Sequence, residues 1–230
     1  MEPDPEGDDV NPFADRMMYL YNRCVQEQTM PVVLKEGVIR ALFKSGETQL
    51  TGNYRPITLL SFLGKNLGSI VASRLLKFLE GNNGLADEQA GFRKGRSTIH
   101  QLVALDAVLS DRKRRGLNTA VIFLDCAKAY DTVWRKGLLY KLWKKGVNGS
   151  FWGQIKSSLQ DRSRRMKLNE RGVEVGNLRE FHPEEGVTQG APKSPIYVQC
   201  IYQRTNRGVA SAKRGSSSET HEKTWFYVCR

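Results

Sequence analysis

The sequence predicts an α+β fold, in which helical and extended segments alternate along 230 residues. Apolar residues recur at helical spacing over residues 13–30 and 65–84, and core packing is the usual meaning of such a pattern. Residues 119–125, TAVIFLD, form a short apolar run with β-branched members and predict a strand. Residues 164–175 predict a hairpin that turns at Glu170–Gly172.

Local signals place the remaining elements. Residues 31–47 open with β-branched residues and turn at Ser45–Gly46. Pro56 biases the residue before it toward an extended conformation. Ser97 or Thr98 can cap a helix that carries apolar residues and ends in the cationic stretch DRKRRGLN. Short helices follow at 136–146 and 150–160, and the broken stretch EEGVTQGAPKSP predicts a loop.

The composition favours a polyanionic partner. The formal net charge is +12 and the sequence pI is about 9.7, which suits nucleic acid, although a basic protein without such a partner is the alternative. The four cysteines lie far apart, so neither a zinc site nor a disulfide framework is expected. The acidic N-terminus lacks a secretory pattern, and no apolar run approaches the ~20 residues of a membrane helix. An intracellular location, in cytoplasm or nucleus, is therefore predicted.

Four stretches, in this order, resemble the reverse transcriptases of non-LTR retrotransposons of the LINE type, such as the jockey and R1 groups. They are NYRPITLLSFLGK, DEQAGFRKGRSTIHQLVAL, AVIFLDCAKAYDTVWRKGLLYKL and EEGVTQGAPKSP. Their joint order and spacing carry the resemblance, which covers residues 30–196. It implies a right-hand polymerase fold, with fingers at 13–118 and part of the palm at 119–196. Composition predicts a disordered acidic tail at 1–12 and a divergent, polar and disordered tail at 197–230.

The resemblance implies a metal site at the end of the predicted strand. Asp125 is similar to the first metal-binding aspartate of the palm, and the backbone carbonyl of Cys126 completes that ligand set in the family. Nucleotidyl transfer uses two metal ions, and Mg²⁺ prefers hard carboxylate oxygens. On the strand alone, an aspartate that merely ends a strand in a turn remains the alternative.

The resemblance also implies residues that bind the incoming nucleotide. Tyr130 matches the aromatic residue that excludes a 2′-hydroxyl, with a core aromatic as the alternative. Gln189 and Gly190 match the glutamine and glycine of the Pro-Gln-Gly loop, although Thr188 replaces the proline and APKSP departs from the usual serine-and-leucine pattern. Asp131 is expected to cap the helix or turn that follows rather than to bind metal.

Cations complete the implied site. Arg93 resembles the fingers residue that holds the triphosphate, because a guanidinium presents a fixed fork of donors. The cationic stretches DRKRRG and DRSRRMK are candidates for contacts with the nucleic-acid backbone, or else a solvated surface. The residues assigned to nucleic acid are Lys94, Arg96, Arg112, Arg114 and Arg115.

The sequence departs from the family downstream of Gln189. The second metal site of the family is an aromatic-x-Asp-Asp hairpin, and no aspartate follows Asp161 here. The resemblance therefore implies a fragment of an RNA-directed DNA polymerase, C-terminally truncated and inactive alone. Its partners would be RNA template, DNA primer, deoxynucleoside triphosphates and Mg²⁺. The alternatives are a non-catalytic nucleic-acid-binding module and a non-functional retroelement remnant.

Overall fold

A computed structural model describes residues 11–123, 125–170, 173–177 and 180–203. Its helices are α1 (Pro12–Gln26), α2 (Val32–Lys35), α3 (Phe62–Gly81), α4 (Thr98–Arg114), α5 (Arg135–Lys144), α6 (Gly149–Leu159) and α7 (Ser194–Tyr202). Its strands are β1 (Gly37–Phe43), β2 (Tyr54–Leu60), β3 (Arg164–Glu170) and β4 (Val173–Asn177). Helices and a mixed sheet together confirm the predicted α+β class.

Side chains just outside the helices fix where three of them begin. The Asn11 side chain accepts hydrogen bonds from the amides of Phe13 and Ala14, so α1 begins at Pro12 inside the predicted disordered tail. Ser61 caps α3 by accepting from the Gly64 amide at 3.1 Å. Ser97 caps α4, as the sequence predicts, by accepting from the His100 amide. Each cap satisfies an amide that the first helical turn leaves unpaired.

The four strands form one sheet in the order β2-β1-β3-β4. β1 pairs antiparallel with β2 from Gly37↔Leu60 to Phe43↔Tyr54, and it pairs parallel with β3 from Gly37↔Arg164 to Ile39↔Met166. Pro56 lies on β2, an edge strand, where a residue without an amide hydrogen is tolerated. β3 and β4 confirm the predicted hairpin.

One apolar core joins helices from both halves of the chain. It includes Leu75 and Leu79 of α3, Leu138 of α5 and Ile155 of α6, all fully buried. Tyr197 of α7 is fully buried in the same core. The predicted boundary at 196 therefore falls inside a packed helix, whereas residues 204–230 of the predicted tail lie outside the described residues.

The strand predicted at 119–125 does not form in the described residues. Residues 119–123 and 125 have no regular secondary structure, and Ile122 and Phe123 are 50% and 68% exposed. A strand requires a hydrogen-bonding neighbour, and the described sheet provides none for this segment. Composition alone therefore misassigned it.

Helix α4 is also only lightly packed. It buries none of its residues completely, and Ile99, Leu102 and Val103 are each more than half exposed.

Among the described residues, no helix is long and apolar enough to cross a membrane.

Candidate functional site

The segment that carries Asp125 ends in a tight turn. Asp125 and Cys126 are exposed, and the Cys126 thiol is free. The turn is closed by the Asp131 and Thr132 amides, which donate to the Lys128 carbonyl at 2.8 and 3.1 Å. Lys128 itself has a φ of 52°.

Asp131 does not cap the next helix, which was one of the two roles expected for it. Helix α5 begins at Arg135, its N-cap residue is Trp134, and no side chain caps it. Asp131 contributes its amide to the turn instead. A capping aspartate must lie directly before the helix, and three residues separate Asp131 from Arg135.

Backbone hydrogen bonds dock the segment 182–190 against this turn. The Val187 amide donates to the Tyr130 carbonyl at 2.7 Å, and the Gly186 amide donates to the Val133 carbonyl at 3.0 Å. Gly186 has a φ of +73°, and a Cβ atom there would lie 2.6 Å from the Asp131 carbonyl oxygen. Only glycine fits this close approach, so the contact between Tyr130 and the glutamine loop depends on it.

The same loop is attached to the sheet on its other side. The Thr58 amide of β2 donates to the Gln189 carbonyl at 2.8 Å. Gly190 has a φ of +107°, and a Cβ there would lie 2.8 Å from the Thr58 carbonyl oxygen. The Gln189 side-chain oxygen is buried without a hydrogen-bond partner in the described residues. The loop is thus held between β2 and the turn at 128–132.

Tyr130 lies where the turn meets the core. It is partly buried and packs against the core cluster, and this burial raises the pKa of its hydroxyl. The ring is therefore partly a core residue, which is the alternative that the sequence left open, and it is partly open to solvent. Selection against a 2′-hydroxyl remains a prediction.

The described residues do not by themselves fit a two-metal site. They contain no group of three or more His, Cys, Asp or Glu side chains arranged to hold a metal ion. Asp125 and Cys126 lie on an exposed segment, where a carboxylate is open to solvent. Their role as metal ligands remains a prediction.

Arg93 is engaged within the protein. Its guanidinium forms a bidentate ion pair with Glu80, at 2.7 and 2.5 Å, and donates to the carbonyls of Ala86 and Gln89. The Arg93 side chain is only 8% exposed. The pairing lowers the pKa of the Glu80 carboxyl. A triphosphate would have to displace Glu80, so the phosphate role of Arg93 remains a prediction and its observed role is to tie a loop to α3.

The cations assigned to nucleic acid are more open. Lys94 is exposed, and Arg96 pairs with Asp87 at 3.2 Å. At the end of α4, Arg114 and Arg115 share Asp111, and Arg112 donates to the Thr119 hydroxyl. Exposed ion pairs are weak, so phosphate groups can compete for these side chains.

Sequence reasoning missed a set of buried arginines beneath the loop. Arg162 donates to the Thr188 hydroxyl at 2.9 Å and to the Gly186 carbonyl at 2.7 Å. Arg164 also donates to Thr188, and Arg135 donates to the carbonyls of Gly186, Glu185 and Pro183. Arg162 and Arg164 are thus buried, so they neither contact a nucleic-acid backbone nor form a solvated surface. A run of arginines carries no sequence signal of burial, because such runs are mostly exposed.

Comparison with known proteins identifies the family. The sequence model of the family described as reverse transcriptase (RNA-dependent DNA polymerase) matches residues 35–226. The match extends beyond residue 196, where the resemblance seen in the sequence ends.

Individual relatives agree with this assignment. The chain is 33% identical over 144 residues to a protein named probable RNA-directed DNA polymerase from transposon BS of Drosophila melanogaster, covering 62% of this chain and 16% of that protein. It is 28% identical over 186 residues to the corresponding X-element protein of that organism, covering 80% of this chain and 20% of the relative. A jockey RNA-directed DNA polymerase from Drosophila melanogaster is 29% identical over 148 residues, or 63% of this chain and 16% of the relative.

The chain spans only about a fifth or less of the length of these relatives. Their names confirm the resemblance to non-LTR retrotransposons, and the family match covers more than half of the chain. The chain belongs to the reverse transcriptase family.

Proposed function

We propose that this chain forms the fingers and the first part of the palm of an RNA-directed DNA polymerase. The observation that carries the proposal is the docking of the 182–190 segment on the turn at 128–132 through Val187 and Gly186. It brings Tyr130 and the glutamine loop together from positions more than 50 residues apart in the sequence. A nucleotide site needs this arrangement, because the sugar must contact both elements at once.

The proposed roles follow the family pattern residue by residue. Asp125, with the Cys126 carbonyl, would contribute ligands to Mg²⁺, an ion that stabilises charge on phosphate oxygens. Tyr130 would contact the sugar of a deoxynucleoside triphosphate, and Gln189 and Gly190 would line the same pocket. Arg93 would reach the triphosphate after releasing Glu80. Template RNA and primer DNA would then lie along the exposed cations.

We expect the 230-residue chain not to extend a primer by itself. No aspartate follows Asp161 in its sequence, and the described residues contain no group of three or more His, Cys, Asp or Glu side chains placed to hold a metal ion. Loss of essential groups from a catalytic unit leaves a small residual rate. The assay is incorporation of a labelled deoxynucleotide on an RNA template with Mg²⁺ or Mn²⁺. Synthesis that Asp125→Ala abolishes and Asp131→Ala does not would contradict this expectation.

Binding of nucleic acid without catalysis is the second candidate function. It is favoured by the cationic end of α4, where Lys113, Arg114 and Arg115 are exposed beyond a helix that buries none of its residues. The formal net charge of +12 agrees with it. Such contacts would be made to phosphates and would carry no sequence preference.

This second function has a salt-dependence test. We expect replacement of Arg112, Lys113, Arg114 and Arg115 by glutamine to reduce the slope of log K against log salt by roughly 3, because each phosphate contact on a single strand contributes about 0.7 to the slope. Filter binding of single-stranded RNA between low and moderate salt measures the slope. The matched control replaces four exposed cations of α1 and α3, namely Arg16, Lys65, Arg74 and Lys77. Equal slopes for the two variants would place the binding face elsewhere.

A further inference from the structure

Four cations lie buried together beneath the 186–190 loop. Lys35 ends α2, Arg162 precedes β3, Arg164 begins β3, and Lys193 is the N-cap residue of α7. They are 7%, 5%, 3% and 8% exposed, respectively. We call these four residues the buried cation cluster. Lysine and arginine are almost never buried to this extent without a partner of opposite charge.

Hydrogen bonds bring three members of the cluster together, because Arg162 and Arg164 both donate to the Thr188 hydroxyl and Arg164 also donates to the Lys35 carbonyl at 2.7 Å. The pKa of the Lys193 ammonium is lowered first by burial and then by the positive charges of Arg162, Lys35 and Arg164. Burial likewise lowers the pKa of Arg162 and Arg164, and Arg135 adds a further positive charge near both. Three segments distant in sequence therefore concentrate positive charge in one interior region.

Compensating negative charge is lacking within the described residues. Asp161 acts on Lys35 through space, and Glu184 and Glu185 act on Arg135, but none of these carboxylates forms an ion pair with the cluster. Buried like charges without a counterion cost several kcal/mol per ion. A structure that retains them is most stable with an anion among them.

The cluster also presents hydrogen-bond donors that are not used. The guanidinium of Arg162 uses its two terminal nitrogens on Thr188 and Gly186, whereas its buried Nε has no partner. The Lys193 ammonium has no hydrogen-bond or ion-pair partner among the described residues. A guanidinium N–H beside an ammonium is a donor set suited to an oxyanion.

We propose that the buried cation cluster binds a compact oxyanion of the phosphate class. The burial of all four cations excludes a nucleic-acid backbone, because a polymer could not follow its phosphate into the interior. Inorganic phosphate, pyrophosphate and the terminal phosphates of a nucleotide share the required chemistry. The proposal does not depend on polymerase activity.

Calorimetric titration of the full chain tests the proposal. Phosphate and pyrophosphate are titrated at pH 6.5 in chloride buffer of constant ionic strength. We expect saturable binding with one site per chain, weakened at least tenfold in Lys193→Met and retained in Lys193→Arg. The matched control is Lys77→Met, which removes an exposed lysine of α3 and should bind as the unaltered chain does. Circular dichroism establishes that each variant is folded.

Further titrations identify the source of the phosphate group. A deoxynucleoside triphosphate that binds in a Lys193-dependent manner identifies the ligand as a nucleotide and supports the proposal. Absence of binding of phosphate, pyrophosphate and the nucleotide to the unaltered chain would overturn it, whether or not any variant folds. Equal binding to Lys193→Met and Lys77→Met, or Lys193-dependent binding of an oligonucleotide alone, would also overturn it.

Discussion

Replacing Gly186 with alanine is expected to destabilise the chain by about 2–5 kcal/mol, the sum of left-handed backbone strain and overpacking. The residue has a φ of +73°, and its Cβ would lie 2.6 Å from the Asp131 carbonyl oxygen and 2.9 Å from that of Tyr130. Both neighbours are backbone atoms, so rotation of a side chain cannot relieve the contact. Separation of the loop from the turn is the only relaxation, and it breaks the bonds donated by Gly186 and Val187.

Gly116→Ala is the matched control. Gly116 has a similar φ of +68°, but no atom lies within 4 Å of a Cβ built there. Its replacement should therefore cost only the backbone strain, about 1–2 kcal/mol. Urea denaturation gives both values from the shift in midpoint at constant m. Equal losses of stability in the two variants would show that the loop does not dock as described.

The docked loop has a functional consequence under the proposed function. Tyr130 and Gln189 lie on separate segments, and the backbone hydrogen bonds donated by Gly186 and Val187 are what join these segments. Detachment of the loop would weaken nucleotide binding even though neither side chain is altered. Gly186 is thus a positioning residue, and nucleotide affinity measured in folded Gly186→Ala separates this effect from the loss of stability.

Local sequence patterns succeeded where a single element determines its own structure. The apolar spacing of Leu67, Val71 and Leu75 predicts the buried face of α3, and Ser97 predicts the start of α4. Helical hydrogen bonds are made within the segment, so the sequence of the segment is sufficient. The hairpin at β3 and β4 is also local, since its two strands are adjacent.

Patterns failed where the outcome depends on a distant partner. The run TAVIFLD has the composition of a strand, but a strand needs a neighbour from elsewhere in the chain, and the described residues do not supply it. Residues 197–202 follow a polar loop and were predicted to be disordered, yet α7 packs Tyr197 and Cys200 into the core. Parallel pairing of β1 with β3 has no local signal either.

The sequence predicts which residues belong to the candidate site, but it does not predict which side chains hold the loop of that site in place. Tyr130, Gln189 and Gly190 follow from the family pattern, and the structure places their segments in contact. Arg135, Arg162 and Arg164, which hold the loop from below, were not identified. Their burial depends on carbonyl groups brought together by the fold, and no spacing in the sequence records that.

The buried cation cluster predicts a specific dependence of stability on pH. The pKa of Lys193 falls from 10.5 to about 7 in the folded chain. Between these values the unfolded chain binds more protons than the folded chain, so stability rises with pH. From pH 6.5 to 8.5 the gain is about 2 kcal/mol in phosphate-free buffer. Arg162 and Arg164 add to the rise in stability only when the pH approaches their pKa values in the folded chain, which are about 9 and about 10.

Lys193→Met should remove most of this dependence. We expect the variant to be more stable than the unaltered chain at pH 6.5, by about 2 kcal/mol or more, and this difference to shrink by about 2 kcal/mol as the pH rises to 8.5. The window stays below the range in which Cys200, whose pKa burial raises from 9.0 to about 11, opposes the trend. Urea midpoints at five pH values measure the effect, with Lys77→Met as control. If Lys193→Met is less stable than the unaltered chain at pH 6.5, the ammonium already has a counterion within the protein. A buried charge stabilises the fold only when a charge of opposite sign lies beside it.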